Sequence, residues 1–125
     1  MNFLQQLFHR HPREPGASHI YSWTGESGRN YEFEIFPLTA TFRPLPGVYI
    51  YAKELSDGDW SPIYVSQTRD LHQRLEGHVT LQDAIEHGAT HLHARYSTAG
   101  QAARCSEEQD LIHRWQPECN DVFQG

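Results

Sequence analysis

Alternating apolar and polar positions mark the strands of this chain. Tyr31, Phe33 and Ile35 interleave with Glu32 and Glu34, so a strand here buries one face and wets the other. His19 to Trp23 reads as its partner. Thr24 to Asn30 between them is rich in turn formers, which predicts a β-hairpin over residues 19–36. Further on, Val48-Tyr49-Ile50 and Ile63-Tyr64-Val65 both read aliphatic, aromatic, aliphatic. On a strand each tyrosine leaves by the face opposite its two neighbours. Antiparallel pairing then lets Tyr49 and Tyr64 share one face. Ser56-Asp57-Gly58-Asp59 supplies turn chemistry between the two runs. Thr90 to Tyr96 alternates as well and predicts a further strand.

A step of three and four residues marks the helices. Phe3, Leu4, Leu7 and Phe8 form a stripe over residues 2–10, stopped by Pro12 and Pro15-Gly16. Pro37, Pro44 and Pro46 give an extended connector. Arg69 to Leu75 is helical, with Leu71, Arg74, Leu75 and His78 on one face. Thr80 to His87 follows, with Thr80 as cap, Leu81, Ala84 and Ile85 as the apolar side and Gly88 as its end. A long helix over Gln101 to Trp115 ends before Pro117. The expected fold is α/β. A small, mostly antiparallel three-stranded central sheet (residues 47–53, 62–66 and 90–96) is flanked by helices, with the 19–36 hairpin attached to it or extending it.

The length of 125 residues fits a single domain, 1–125, with no internal repeat or boundary. No apolar run has the length of a membrane span, so no membrane association is expected. The first residues lack the pattern of a signal peptide, which points to the cytoplasm. Cys105 and Cys119 form no CxxC pair and are expected as free thiols in the core. A net charge of −6 argues against a general nucleic-acid coat but leaves room for a local basic patch. The nine histidines raise the question of a metal. His91 and His93 share a strand face but have no evident third ligand, so a structural or surface role is expected. His9 and His11 show no metal spacing either.

The last helix places Glu108, Leu111, Ile112 and Trp115 at i, i+3, i+4 and i+7. Glu108 therefore lies on the apolar side, where an unpartnered carboxylate is costly. Arg104, four residues earlier, offers a helix ion pair, and a divalent cation offers a hard-oxygen site. Helix geometry alone puts the ion pair ahead. Glu107 points off the stripe and is expected in solvent.

Taken together, Gly47-Val48-Tyr49, Tyr64-Val65-Ser66, Asp70-Leu71 and Arg74-Leu75 resemble the GIY-YIG nuclease family. Glu108, Leu111-Ile112, Pro117 and Asn120 resemble the family's E-x-x-L-I…P-x-x-N ending. The resemblance covers residues 45–120, and residues 1–44 lie outside it. It implies an endonuclease that hydrolyses DNA with Mg²⁺ or Mn²⁺. Tyr49 would be general base or positioner of the attacking water, with Tyr64 beside it. Arg74 would hold the scissile phosphate, His78 would stand near it, and Glu108 would ligate the metal. Gln67, Arg69 and Asn120 would meet or support the substrate.

Such chemistry needs a guanidinium and a cation, because hydrolysis builds negative charge on the phosphate. A tyrosine base needs nearby positive charge to favour phenolate. Two positions depart from the family pattern. Ser66 replaces the YIG glycine, and Gln67 stands where some members carry lysine. A turn requiring positive φ would be strained by serine. That departure supports a second expectation, a catalytically degenerate module that binds nucleic acid or a protein without cleavage.

Overall fold

The computed structural model describes residues 19–77 and 79–120. The stripe expected at residues 2–10, and His78, lie outside the described residues. Five strands form one sheet: β1 (Ile20–Thr24), β2 (Asn30–Pro37), β3 (Gly47–Glu54), β4 (Trp60–Thr68) and β5 (His91–Tyr96). Among the described residues three helices accompany them: α1 (Leu71–Leu75), α2 (Val79–Glu86) and α3 (Gln101–Trp115). The strand order is β1-β2-β5-β3-β4, and every neighbouring pair is antiparallel. The α/β class therefore holds, but the sheet has five strands rather than three. The expected hairpin is present and joins the rest through β2, whose Glu34 to Pro37 pair with Ala94 to His91 of β5. The cause lies in β5. Leu92, His93 and Ala94 are buried in succession, as in a strand flanked on both sides and covered on both faces.

Alternation along the strands sends side chains into two cores. One holds Phe36, Phe42, Tyr49, Tyr51, Tyr64, Leu71, Ala84 and Leu92. The other holds Trp23, Phe33, Ile35, Val48, Ile50, Val65 and Leu111. The apolar side of α3 packs into the second, where Leu111 is fully buried and Trp115 meets Trp23 edge-on at 5.3 Å. Among the described residues no helix is long and apolar enough to cross a membrane. Both cysteines are free thiols, Cys119 buried and Cys105 half-buried.

Local chemistry sets the details near the site. Tyr51 faces Tyr64 and Ala52 faces Pro62, so Ile63 is the extra residue of a β-bulge. The bulge turns Ile63 into the same core as Tyr64, whereas strict alternation placed them on opposite faces. Asp70 caps α1 by accepting the Gln73 N–H at 3.0 Å. Gly77, at φ +64°, follows the helix in a left-handed conformation suited to glycine. Helix α2 begins at Val79, so Thr80 lies inside its first turn, buried, instead of capping it. Ile85, expected on the apolar side, is 42% exposed. At Gly47 any Cβ would overlap the Arg95 carbonyl and the Leu71 side chain, so the approach of β3 to β5 and α1 demands glycine.

Candidate active site

The β3–β4 register sets Tyr49 directly opposite Ser66 and Tyr51 opposite Tyr64. Cross-strand partners share a face, so three tyrosines and a serine gather on one side of the sheet. The rings of Tyr49 and Tyr64 lie 6.3 Å apart between centroids, and those of Tyr49 and Tyr51 lie 5.8 Å apart. Tyr49 has no exposed surface. Burial pushes its hydroxyl up to about 12, although hydrogen bonds from Arg74 and Ser66 pull the other way. Arg74 projects from α1 to donate to that hydroxyl and also feels the charge of Glu108. The positive charge needed to favour phenolate is present at Tyr49, but desolvation outweighs it.

Glu108 reaches the same place from α3. It is 9% exposed, and burial raises its carboxyl above the ordinary value. Opposing that rise are hydrogen bonds from the Gln109 amide, the Gln67 backbone N–H and the Ser66 hydroxyl, and the charge of Arg74. The expected ion pair with Arg104 does not form. Arg104 instead donates its Nε–H to Gln67 Oε1 at 3.1 Å. Two residues before Gln67, Asn120 holds the same edge strand. Its Oδ1 accepts the Val65 N–H at 2.9 Å and its Nδ2–H donates to the Val65 carbonyl at 2.8 Å. β4 is the last strand of the sheet. The Asn120 side chain thus satisfies edge groups that a further strand would otherwise pair.

Beside these residues an open groove of about 630 Å³ runs between α1 and the start of α3. Arg69, Arg74 and Arg104 line it, with Asp70 and Glu76 on its α1 side. Both carboxylates have other partners: Asp70 caps α1 and Glu76 pairs with His72 at 3.1 Å. The three guanidiniums suit an anion with several oxygens, such as a phosphate.

The fold therefore brings Tyr49, Tyr64, Arg74 and Glu108 together from four elements. Gln67 contributes its backbone to Glu108 and its side chain to Arg104. Arg69 stands exposed on the groove wall. Asn120 is 3% exposed and its amide is committed to Val65, so it supports the strand behind the groove.

Other expectations change. Ser66 lies in a regular strand, and Gln116 is the only non-glycine with positive φ among the described residues. The serine therefore carries no backbone strain. Glu107 is not in solvent: its side chain is 11% exposed and pairs with Arg95 at 3.1 Å. His93 is buried, and its Nδ1 accepts from the Trp23 indole at 2.9 Å. That bond fits the structural role expected for it. Sequence reasoning missed Tyr51, whose signal was the alternation Tyr49-x-Tyr51. It also missed Arg104 as a groove residue, because helix spacing pointed the guanidinium at Glu108.

Among the described residues no three His, Cys, Asp or Glu side chains gather as a metal cage. Glu108 alone fits a hard cation such as Mg²⁺, which commonly takes one or two carboxylates and completes its shell with water and phosphate oxygens. No protein-family model, curated protein or solved structure matches the chain.

Proposed function

We propose that the chain is a metal-dependent endonuclease that hydrolyses DNA phosphodiester bonds through a GIY-YIG-like module over residues 45–120. One observation carries this reading. Tyr49 of β3, Arg74 of α1 and Glu108 of α3, distant in sequence, meet beside a groove lined by arginines. An ordinary core has no use for a desolvated carboxylate and a guanidinium beside a buried phenol. Arg74 stabilises the charge that grows on the scissile phosphate, and Arg69 and Arg104 hold the flanking backbone. Tyr49, raised to about 12, is a neutral phenol at physiological pH. It acts by fixing Arg74 and the attacking water and not as a ready base. Glu108 would hold Mg²⁺ or Mn²⁺, which would supply Lewis-acid stabilisation of the phosphate when bound.

The complete burial of Tyr49 favours a second reading, a degenerate module that binds nucleic acid or protein without cutting. Glu108 speaks against it, because a carboxylate repels phosphate unless a cation intervenes. Nicking of supercoiled and branched DNA with Mg²⁺ or Mn²⁺ separates the two. The nuclease reading expects metal-dependent nicking, reduced roughly 10²-fold or more by Tyr49→Phe, Arg74→Ala or Glu108→Ala. Retention of DNA with no nicking under any metal condition supports the binding module instead.

A further inference from the structure

Helix α3 lies across the sheet and is tied to it in strand order, from β4 toward β1. Near its start Arg104 donates to Gln67 of β4 at 3.1 Å. One turn on, Glu107 pairs with Arg95 of β5 at 3.1 Å. Asp110 then reaches the turn of the β1–β2 hairpin and β2 itself. Its Oδ1 accepts the Ser27 N–H at 2.8 Å, and its Oδ2 accepts the Ser27 hydroxyl at 2.7 Å and the Tyr31 hydroxyl at 2.8 Å. The Asp110 carbonyl accepts the Glu26 N–H at 3.1 Å. At the end of the helix the Trp115 indole donates to the Thr24 carbonyl of β1 at 2.9 Å.

The hairpin is shaped to receive this carboxylate. Gly25 is buried, and any Cβ there would overlap the Asp110 carboxyl group. Gly25 has no positive φ, so space and not backbone freedom demands glycine. Three donors converging on one carboxylate fix its direction as well as its distance. The ties at Arg104 and Glu107 come from the region that resembles the nuclease module. Those at Asp110 and Trp115 come from the segment outside it. Glu108 stands between the two sets, so together they fix the tilt and rotation of the helix that carries it. A misplacement of about 1 Å in a reacting group costs up to about 10²-fold in rate.

We propose that Asp110 is a positioning residue: by locking α3 to the β1–β2 hairpin it fixes where Glu108 stands, which makes residues 19–36 a working part of the site. The inference rests on the nuclease reading of that site.

The test uses the full chain nicking supercoiled plasmid, titrated with Mn²⁺ at a temperature where circular dichroism shows each variant folded. Asp110→Ala removes the carboxylate. Gly25→Ala keeps the carboxylate but fills its cradle from the hairpin side. Asp110→Asn keeps the size and an acceptor for the Ser27 N–H. The expected result is a rate roughly tenfold lower for Asp110→Ala and for Gly25→Ala, with half-saturation by Mn²⁺ moved several-fold upward, and intermediate values for Asp110→Asn. A lower rate at an unchanged Mn²⁺ midpoint marks a merely structural role and overturns the inference. Full activity of Asp110→Ala and Gly25→Ala beside an active wild type overturns it too. Either result leaves the nuclease reading standing, whereas an inactive wild type overturns both. Amide hydrogen exchange gives a readout independent of catalysis. Asp110→Ala is expected to lose protection over residues 110–115 of α3. Unchanged protection there removes the lock and the inference with it.

Discussion

Tyr49 has no exposed surface, accepts a hydrogen bond from Arg74, and has its hydroxyl pushed up to about 12. His93, opposite Ile50 on the other face of the sheet, is also shifted by burial, there with nothing opposing it. Burial is the main cause that lowers its pKa to about 3, with smaller contributions from His91 and His19. A depressed histidine favours the folded state above its unfolded value near 6.5, and that stability is lost as pH falls toward 3. Glu107 and Glu108, raised by burial, act in the opposite sense as pH rises past their ordinary values. The histidine is isolated by His93→Gln, which keeps an acceptor for the Trp23 indole. Urea unfolding between pH 7 and pH 4 should show wild type losing up to about 1.4 kcal/mol more per pH unit than this variant. Parallel pH curves would contradict the buried neutral imidazole. At this scale the pattern marked only Glu108, a carboxylate on an apolar helix face; the expectation that Tyr49 and Arg74 would stand near it came from the resemblance to the GIY-YIG family, and the fold does bring the three together. The ease with which Ser66 fits was not legible, because whether its position needs a positive φ is decided by the strand register.

Edge strand β4 carries Tyr64, Ser66 and Gln67, and Asn120 closes its outer side with two bonds to Val65. Asn120→Ala leaves a buried N–H and a buried carbonyl unmatched, at a cost of roughly 1–3 kcal/mol. The check is a lower urea midpoint at unchanged m-value, with kcat falling because Ser66 and Gln67 shift. An unaltered midpoint would show that the strand needs no such clamp. Among the elements, the bounds of α3 were legible to the residue, while its buried side proved wider than the apolar step, taking in Arg104 and Glu107. The 19–36 hairpin was legible from alternation and turn chemistry. The Ile63 bulge was not, because one inserted residue leaves the local apolar pattern intact. The joining of β2 to β5 was equally hidden, since non-local pairing is decided by what covers both faces of β5.

The whole molecule carries a net charge of −6, yet the groove gathers Arg69, Arg74 and Arg104 from a loop and two helices. Composition excluded a general nucleic-acid coat but could not reveal this patch, which exists only once the chain is folded. Three guanidiniums imply few phosphate contacts. Binding to duplex DNA should be weak, with log K falling against log salt at a slope of roughly −2 to −3. A much steeper slope would require cations beyond the groove, and a flat one would deny it phosphate. The central claim concerns Glu108, the group that distinguishes a cation-assisted cutter from a binder. The most direct measurement is the nicking rate of supercoiled plasmid in Mn²⁺ by wild type and Glu108→Ala, purified side by side. The account predicts nicking by wild type and a rate lower by roughly 10² or more for the variant. Equal rates for the two proteins would contradict it.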